Sequence, residues 1–209
     1  MVGEVALLAL VTAIVPIAAC PPELALDIVA EHHPPAVRSS YSLGQIREFA
    51  ARMGRPAKHE PFGFYASTFG YVVDVAPVAP AIKGCKPAVT ARVRLVLGGR
   101  LIEVGSDIQN RHCQRDVILS HYMLHAQYDD KALSAYANRA MDALGQMPTA
   151  ELLGGSPVPG TAVDAATEAI RHAMDKVLLS YERDRAEALT LADSPEELNR
   201  LAGACMRAL

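Results

Sequence analysis

His121 and His125 lie four residues apart in the run Val117-Ile-Leu-Ser-His121-Tyr122-Met-Leu-His125-Ala-Gln-Tyr-Asp129-Asp130. On a helix that spacing stacks two imidazoles on one face, a turn apart. Two such nitrogens begin a tetrahedral zinc site, which needs further donors from elsewhere. Asp129 continues the stripe by one more turn. A single straight helix does not readily wrap three ligands round one ion, so a donor from another element closes the tetrahedron better. The plainer use of the same histidines is as half-buried core residues bonded to backbone carbonyls; the chain has seven histidines in all. Ser120 beside His121 is no nucleophile–base pair, because helix neighbours point about 100° apart. Adjacent His32 and His33, before Pro34-Pro35, read as an exposed turn.

The pair needs a helix, and the apolar positions Val117, Ile118, Leu124, Tyr128, Leu133, Tyr136, Ala140 and Leu144 predict one over 114–144, with Asp129-Asp130 as its weakest point. Before it, residues 88–97 alternate, with Val89, Ala91, Val93, Leu95 and Leu97 on one face and Arg92 and Arg94 on the other. Gly98-Gly99 then reads as a two-residue hairpin turn and 100–104 as the returning strand. Further strands are predicted over 23–29 and 68–75, and a helix over 43–53 behind the N-cap Ser42. After the motif helix come a loop over 147–160, a long helix over 161–191, and a last helix opened by Ser194-Pro195-Glu196-Glu197. The class is α+β: a small antiparallel sheet packed against three to four helices.

The chain has 209 residues, 51% of them hydrophobic, enough for one ordinary core in a single domain spanning 20–209. A net charge of −3 without a basic block argues against nucleic acid as a partner, and the absence of Trp argues against stacking platforms. Residues 5–19 are apolar apart from Thr12 and Pro16, and small residues precede Cys20. This reads as a signal peptide over 1–19 and export to the periplasm or medium, although no Lys or Arg precedes the run. Ile17-Ala18-Ala19-Cys20 also resembles a bacterial lipobox, so membrane attachment would follow only if Cys20 carried lipid. Four cysteines in an exported chain imply two disulfides, with three possible connectivities. Position favours Cys85–Cys113 and Cys20–Cys205. No CxxC pair suggests a sulfur-ligated zinc.

A β-ribbon feeding a two-histidine helix, followed by another long helix, resembles the zincin metallopeptidase core over residues 88–181. The resemblance implies zinc as cofactor, His121 and His125 as ligands, and a third ligand on the following helix, at Glu168 or at His172 one turn later. The departure is the residue after the first histidine. HExxH enzymes place there the glutamate that takes a proton from zinc-bound water. Here it is Tyr122, whose phenol is about three units too weak to act as that base near neutral pH. The resemblance therefore implies a degenerate zincin-like envelope protein, lacking normal peptidase activity and serving as a binding or assembly module for an envelope protein or peptide. The alternative is a zinc-dependent hydrolase using His121 and His125 with an unidentified base.

Overall fold

The computed structural model describes residues 24–52, 62–78, 88–148 and 159–205. In chain order these form β1 (Leu24–His32), β2 (Ala36–Arg38), α1 (Leu43–Arg52), β3 (Gly63–Val78), β4 (Ala88–Val104), a 3₁₀ turn (Ser106–Ile108), α2 (His112–Gly145), α3 (Pro159–Ala192) and α4 (Pro195–Ala204). The signal-peptide reading of 1–19 falls outside the described residues. Among those described, no helix is long and apolar enough to cross a membrane.

The α+β class holds, but the sheet is mixed rather than antiparallel. β4 is the central strand. β3 runs antiparallel along one edge, from Gly63 opposite Val104 to Val78 opposite Ala88. β1 and β2 both run parallel to β4, pairing Leu24 with Val89 and Ala36 with Leu101. Those two pairings share one offset, so β1 and β2 are halves of one interrupted lane. The gap contains Pro34 and Pro35, which have no N–H to give the ladder. Hence His32 and His33 do not form a turn between elements: His32 closes β1, and His33 enters the gap.

The Gly98-Gly99 hairpin expected over 88–104 is not formed. β4 continues through both glycines, and β3 supplies the antiparallel partner. Ala66 pairs with Leu101 but Thr68 with Gly98, so Gly99 and Arg100 together face Ser67. This is a β-bulge with glycine in the left-handed region, at φ 56°. Its effect is visible in the burial pattern. Val89, Ala91, Val93, Leu95 and Leu97 are buried before it; Arg100, Ile102 and Val104 are buried after it. One extra residue has moved the inward phase from odd to even positions and turned Arg100 towards the core.

Helices α2 and α3 cover one face of the sheet. Val93, Leu95 and Leu97 pack there with Leu133, Tyr136 and Leu144 from α2 and Ile170, Met174 and Tyr181 from α3. The other face is wet and carries cross-strand ion pairs, Arg92 with Asp27 and Arg94 with Asp74. A two-layer packing of this kind buries one face of each element. α2 runs unbroken through Asp129-Asp130. Helix starts follow their sequence signals. Ser42 Oγ accepts from Gln45 N–H at 3.3 Å, and Gln45 Oε1 accepts from Ser42 N–H at 2.9 Å.

Cys113, in the first turn of α2, is bonded to Cys205 at the end of α4, with Cα atoms 5.8 Å apart. This overturns the expected Cys85–Cys113 and Cys20–Cys205 pairings. α4 returns along the start of α2 and delivers Cys205, just past its last residue, to Cys113, a neighbourhood that parity and chain position do not reveal. Cys20 and Cys85 lie outside the described residues.

Candidate metal centre

The stripe of α2 that carries His121, His125 and Asp129 faces inward, with 6%, 7% and 0% of each residue exposed. What meets the two histidines is the joint between α3 and α4. α3 ends at Ala192, which is buried, and Ser194 caps α4 by accepting from Glu197 N–H at 3.3 Å. Asp193 is held between them, its N–H bonded to Leu189 O. Its side chain reaches back to α2. Asp193 Oδ1 lies 3.2 Å from His121 Nε2 and 3.1 Å from His125 Nε2. The two Nε2 atoms are 3.1 Å apart.

Three donor atoms thus form a nearly equilateral triangle. Hydrogen bonds alone satisfy it poorly. If both rings carried Nε2–H, the two hydrogens would face each other across 3.1 Å; if only one did, the other nitrogen's lone pair would face the carboxylate oxygen. A cation answers all three at once. With bonds of about 2.0–2.1 Å to these atoms, the ligand–metal–ligand angles come to about 100°, close to tetrahedral. His121, His125 and Asp193 are the group among the described residues able to hold a metal ion. Burial pushes the Asp193 carboxyl up, but the two imidazoles outweigh it and hold the group well below the usual carboxylate range, so it stands ready as an anionic ligand. The Asp193 side chain is half exposed, giving the site one open side.

Behind the ligands, His121 Nδ1 is buried without a hydrogen-bond partner, and Glu197 Oε1 lies 3.8 Å from it. Arg200 fixes Glu197 through two contacts of 2.6 Å. A carboxylate beyond a ligating histidine is the usual arrangement for setting its tautomer and ring orientation. The Tyr122 ring meets the His121 and His125 rings at 5.1 and 5.7 Å, and its hydroxyl donates to the Gly63 carbonyl. That close approach requires glycine at 63, since a Cβ there would stand 2.8 Å from the Tyr122 ring and 2.3 Å from Glu103 O.

The other sequence candidates lie elsewhere. Glu168 and His172 are exposed on α3, and their positions precede Asp193 by enough helix to separate them from it by about 30 Å or more at 1.5 Å per residue. Asp129, though on the stripe, is committed to a separate buried network. Arg185 Nε donates to its Oδ1 at 2.6 Å, and the hydroxyls of Ser67 and Tyr65 donate to Oδ2 at 2.6 and 2.8 Å. Burial raises the Asp129 carboxyl, but Arg185, Ser67 and Tyr65 together hold it below its ordinary value. Arg100, turned inward by the bulge, donates to the carbonyls of Ala126 and His33 at 2.8 and 2.9 Å. Asp193 is not among the residues that the sequence pattern singles out. Its one local signal is its place just before a strong helix N-cap, where the chain must turn. Compared with protein-family models, curated proteins and solved structures, the chain matches none.

Proposed function

We propose that the chain is an exported zinc-binding module of the cell envelope, with a degenerate zincin-like helix and without ordinary peptidase activity. The observation that carries the reading is the convergence of His121 Nε2, His125 Nε2 and Asp193 Oδ1, at 3.1 to 3.2 Å from one another. Nitrogen and carboxylate donors at tetrahedral spacing suit zinc, and copper, nickel and iron share these donor types. The ion joins the middle of α2 to the α3–α4 joint. Export is supported by the apolar run at 5–19 and by the Cys113–Cys205 disulfide, which persists in oxidising compartments. Tyr122 at the position of the zincin glutamate, with its hydroxyl given to Gly63, argues against water activation by the usual route. A partner peptide or envelope protein remains the expected ligand of such a module.

One observation favours the alternative hydrolase. Three protein donors with an open side are the count of a catalytic zinc, whereas structural zinc sites are closed by four. That reading still lacks a base, because Glu197 lies on the Nδ1 side of His121 and is held by Arg200.

The deciding experiment is metal content by elemental mass spectrometry on untagged protein, wild type beside His121→Ala/His125→Ala and Asp193→Asn. The expected result is about one zinc per chain in the wild type, lost in the double variant and sharply reduced in Asp193→Asn. Zinc retained by all three proteins would remove the site. Zinc-dependent cleavage of unstructured peptides that His121→Ala/His125→Ala abolishes would favour the hydrolase.

A further inference from the structure

Helix α4 is fastened to α2 at both ends. None of its described side chains is buried. At its start, Asp193 reaches His121 and His125, and Glu197 flanks His121. At its end, Cys205 is bonded to Cys113. Cys113 is exposed, so a thiol in solution has access to the bond. Two closures therefore act on one short strap, a metal closure and a disulfide closure, joined by eight residues on the α2 side and twelve on the α4 side.

We infer that the Cys113–Cys205 disulfide is a redox regulator of the His121–His125–Asp193 metal site, tightening metal binding when closed and weakening it when reduced. The inference rests on the metal-binding reading above. The chemistry is thiol–disulfide exchange. Two equivalents of a thiol such as glutathione supply two electrons and two protons. The Cys113–Cys205 bond breaks, each sulfur leaves as a thiol, and the reductant closes its own disulfide. With the bond closed, the path from His121 to Asp193 through the crosslink is about 20 residues, against about 70 along the chain, and this ratio sets a loop-closure advantage of roughly sixfold. Packing of Ala192 keeps part of that order after reduction, so the coupling reads as a loss of about two- to sixfold in metal affinity. Linkage is reciprocal, and bound metal resists reduction of the disulfide by the same factor.

The test compares zinc affinity, by competition with a fluorescent chelator, in the oxidised wild-type chain and in Cys113→Ser/Cys205→Ser. A roughly two- to sixfold weaker affinity in the variant, with unchanged circular dichroism, is the expected result. Affinities within twofold overturn the inference while leaving the metal site intact. An oxidised wild type that binds no zinc overturns both readings. Should the variant fail to fold, the wild-type chain decides alone. The fraction of Cys113 and Cys205 found as thiols in a glutathione redox buffer is measured by alkylation and mass spectrometry, with saturating zinc and with chelator. Zinc should lower the reduced-to-oxidised ratio by the same factor of roughly two to six. An unchanged ratio sinks the coupling.

Discussion

At the residue scale, the carboxylate on the α2 stripe and the one that reaches it from outside have opposite duties. Asp193 is half exposed and shares one oxygen between two imidazoles; Asp129 is sealed and gives both oxygens to Arg185, Ser67 and Tyr65. Removing Asp129 would strand Arg185 beside a buried gap, which costs about 3–5 kcal/mol when one partner of a buried pair is lost. Asp129→Ala should therefore lower the urea midpoint strongly, while Asp193→Asn changes it little in chelator and sharply reduces stabilisation by zinc. The pH dependence follows from the direction of the Asp129 shift. Its folded carboxyl titrates below its ordinary value, so its contribution is complete above about pH 4 and is lost as pH falls through the folded value. Wild-type stability should decline on acidification below about pH 4, and Asp129→Asn, less stable at neutral pH, should decline less over that window. Equal slopes would show that another carboxylate dominates the acid limb.

At the element scale, the bulge in β4 decides which side of the strand faces the helices. Gly99 sits at φ 56°, and a Cβ there would meet Thr68 Oγ1 at 3.0 Å. A β-branched residue in that region costs about 1–3 kcal/mol. Gly99→Val should lower stability by that amount, read by chemical denaturation, and Gly99→Asn by less, because asparagine tolerates left-handed backbone. Equal losses in the two variants would mean that crowding against Thr68, rather than backbone conformation, sets the cost. The caps offer a milder test. Ser194→Ala removes the acceptor for Glu197 N–H and should cost about 1 kcal/mol, together with a measurable loss of zinc affinity, since the cap sets where α4 leaves the Asp193 joint.

At the scale of the whole molecule, a sheet with one wet face relies on α2 and α3 for its core, and α4 is strapped across the start of α2. The Cys113–Cys205 bond closes a separation of 92 residues. Loop-closure entropy for a ring of that size is about 4–5 kcal/mol. Cys113→Ala/Cys205→Ala should be destabilised by up to that amount in urea, with the loss confined to the oxidised comparison. Under reducing conditions the two proteins should unfold at similar midpoints. A persistent gap under reduction would point to packing damage at the cysteines.

What the sequence determined by itself was local. The 3.6-residue period placed α2 and α3, alternation placed β3 and β4, and Ser42 and Ser194 marked helix starts, because these features rest on contacts within about four residues; the three-residue β2 left no such signal. The helical period also put His121 and His125 on one face, since four residues of helix leave no other choice. Tertiary structure decided the rest. Gly98-Gly99 carries the same local signal for a hairpin or a bulge, and only the presence of β3 beside β4 selected the bulge. Cys113 had three possible partners, and the return of α4 selected Cys205. Asp193, 68 positions beyond His125, became the third donor because α3 ends where it does against the α2 stripe, while Glu168 and His172 were left on the exposed side of α3. Contacts made across such separations depend on how helices of fixed length pack, and no short-range pattern encodes that.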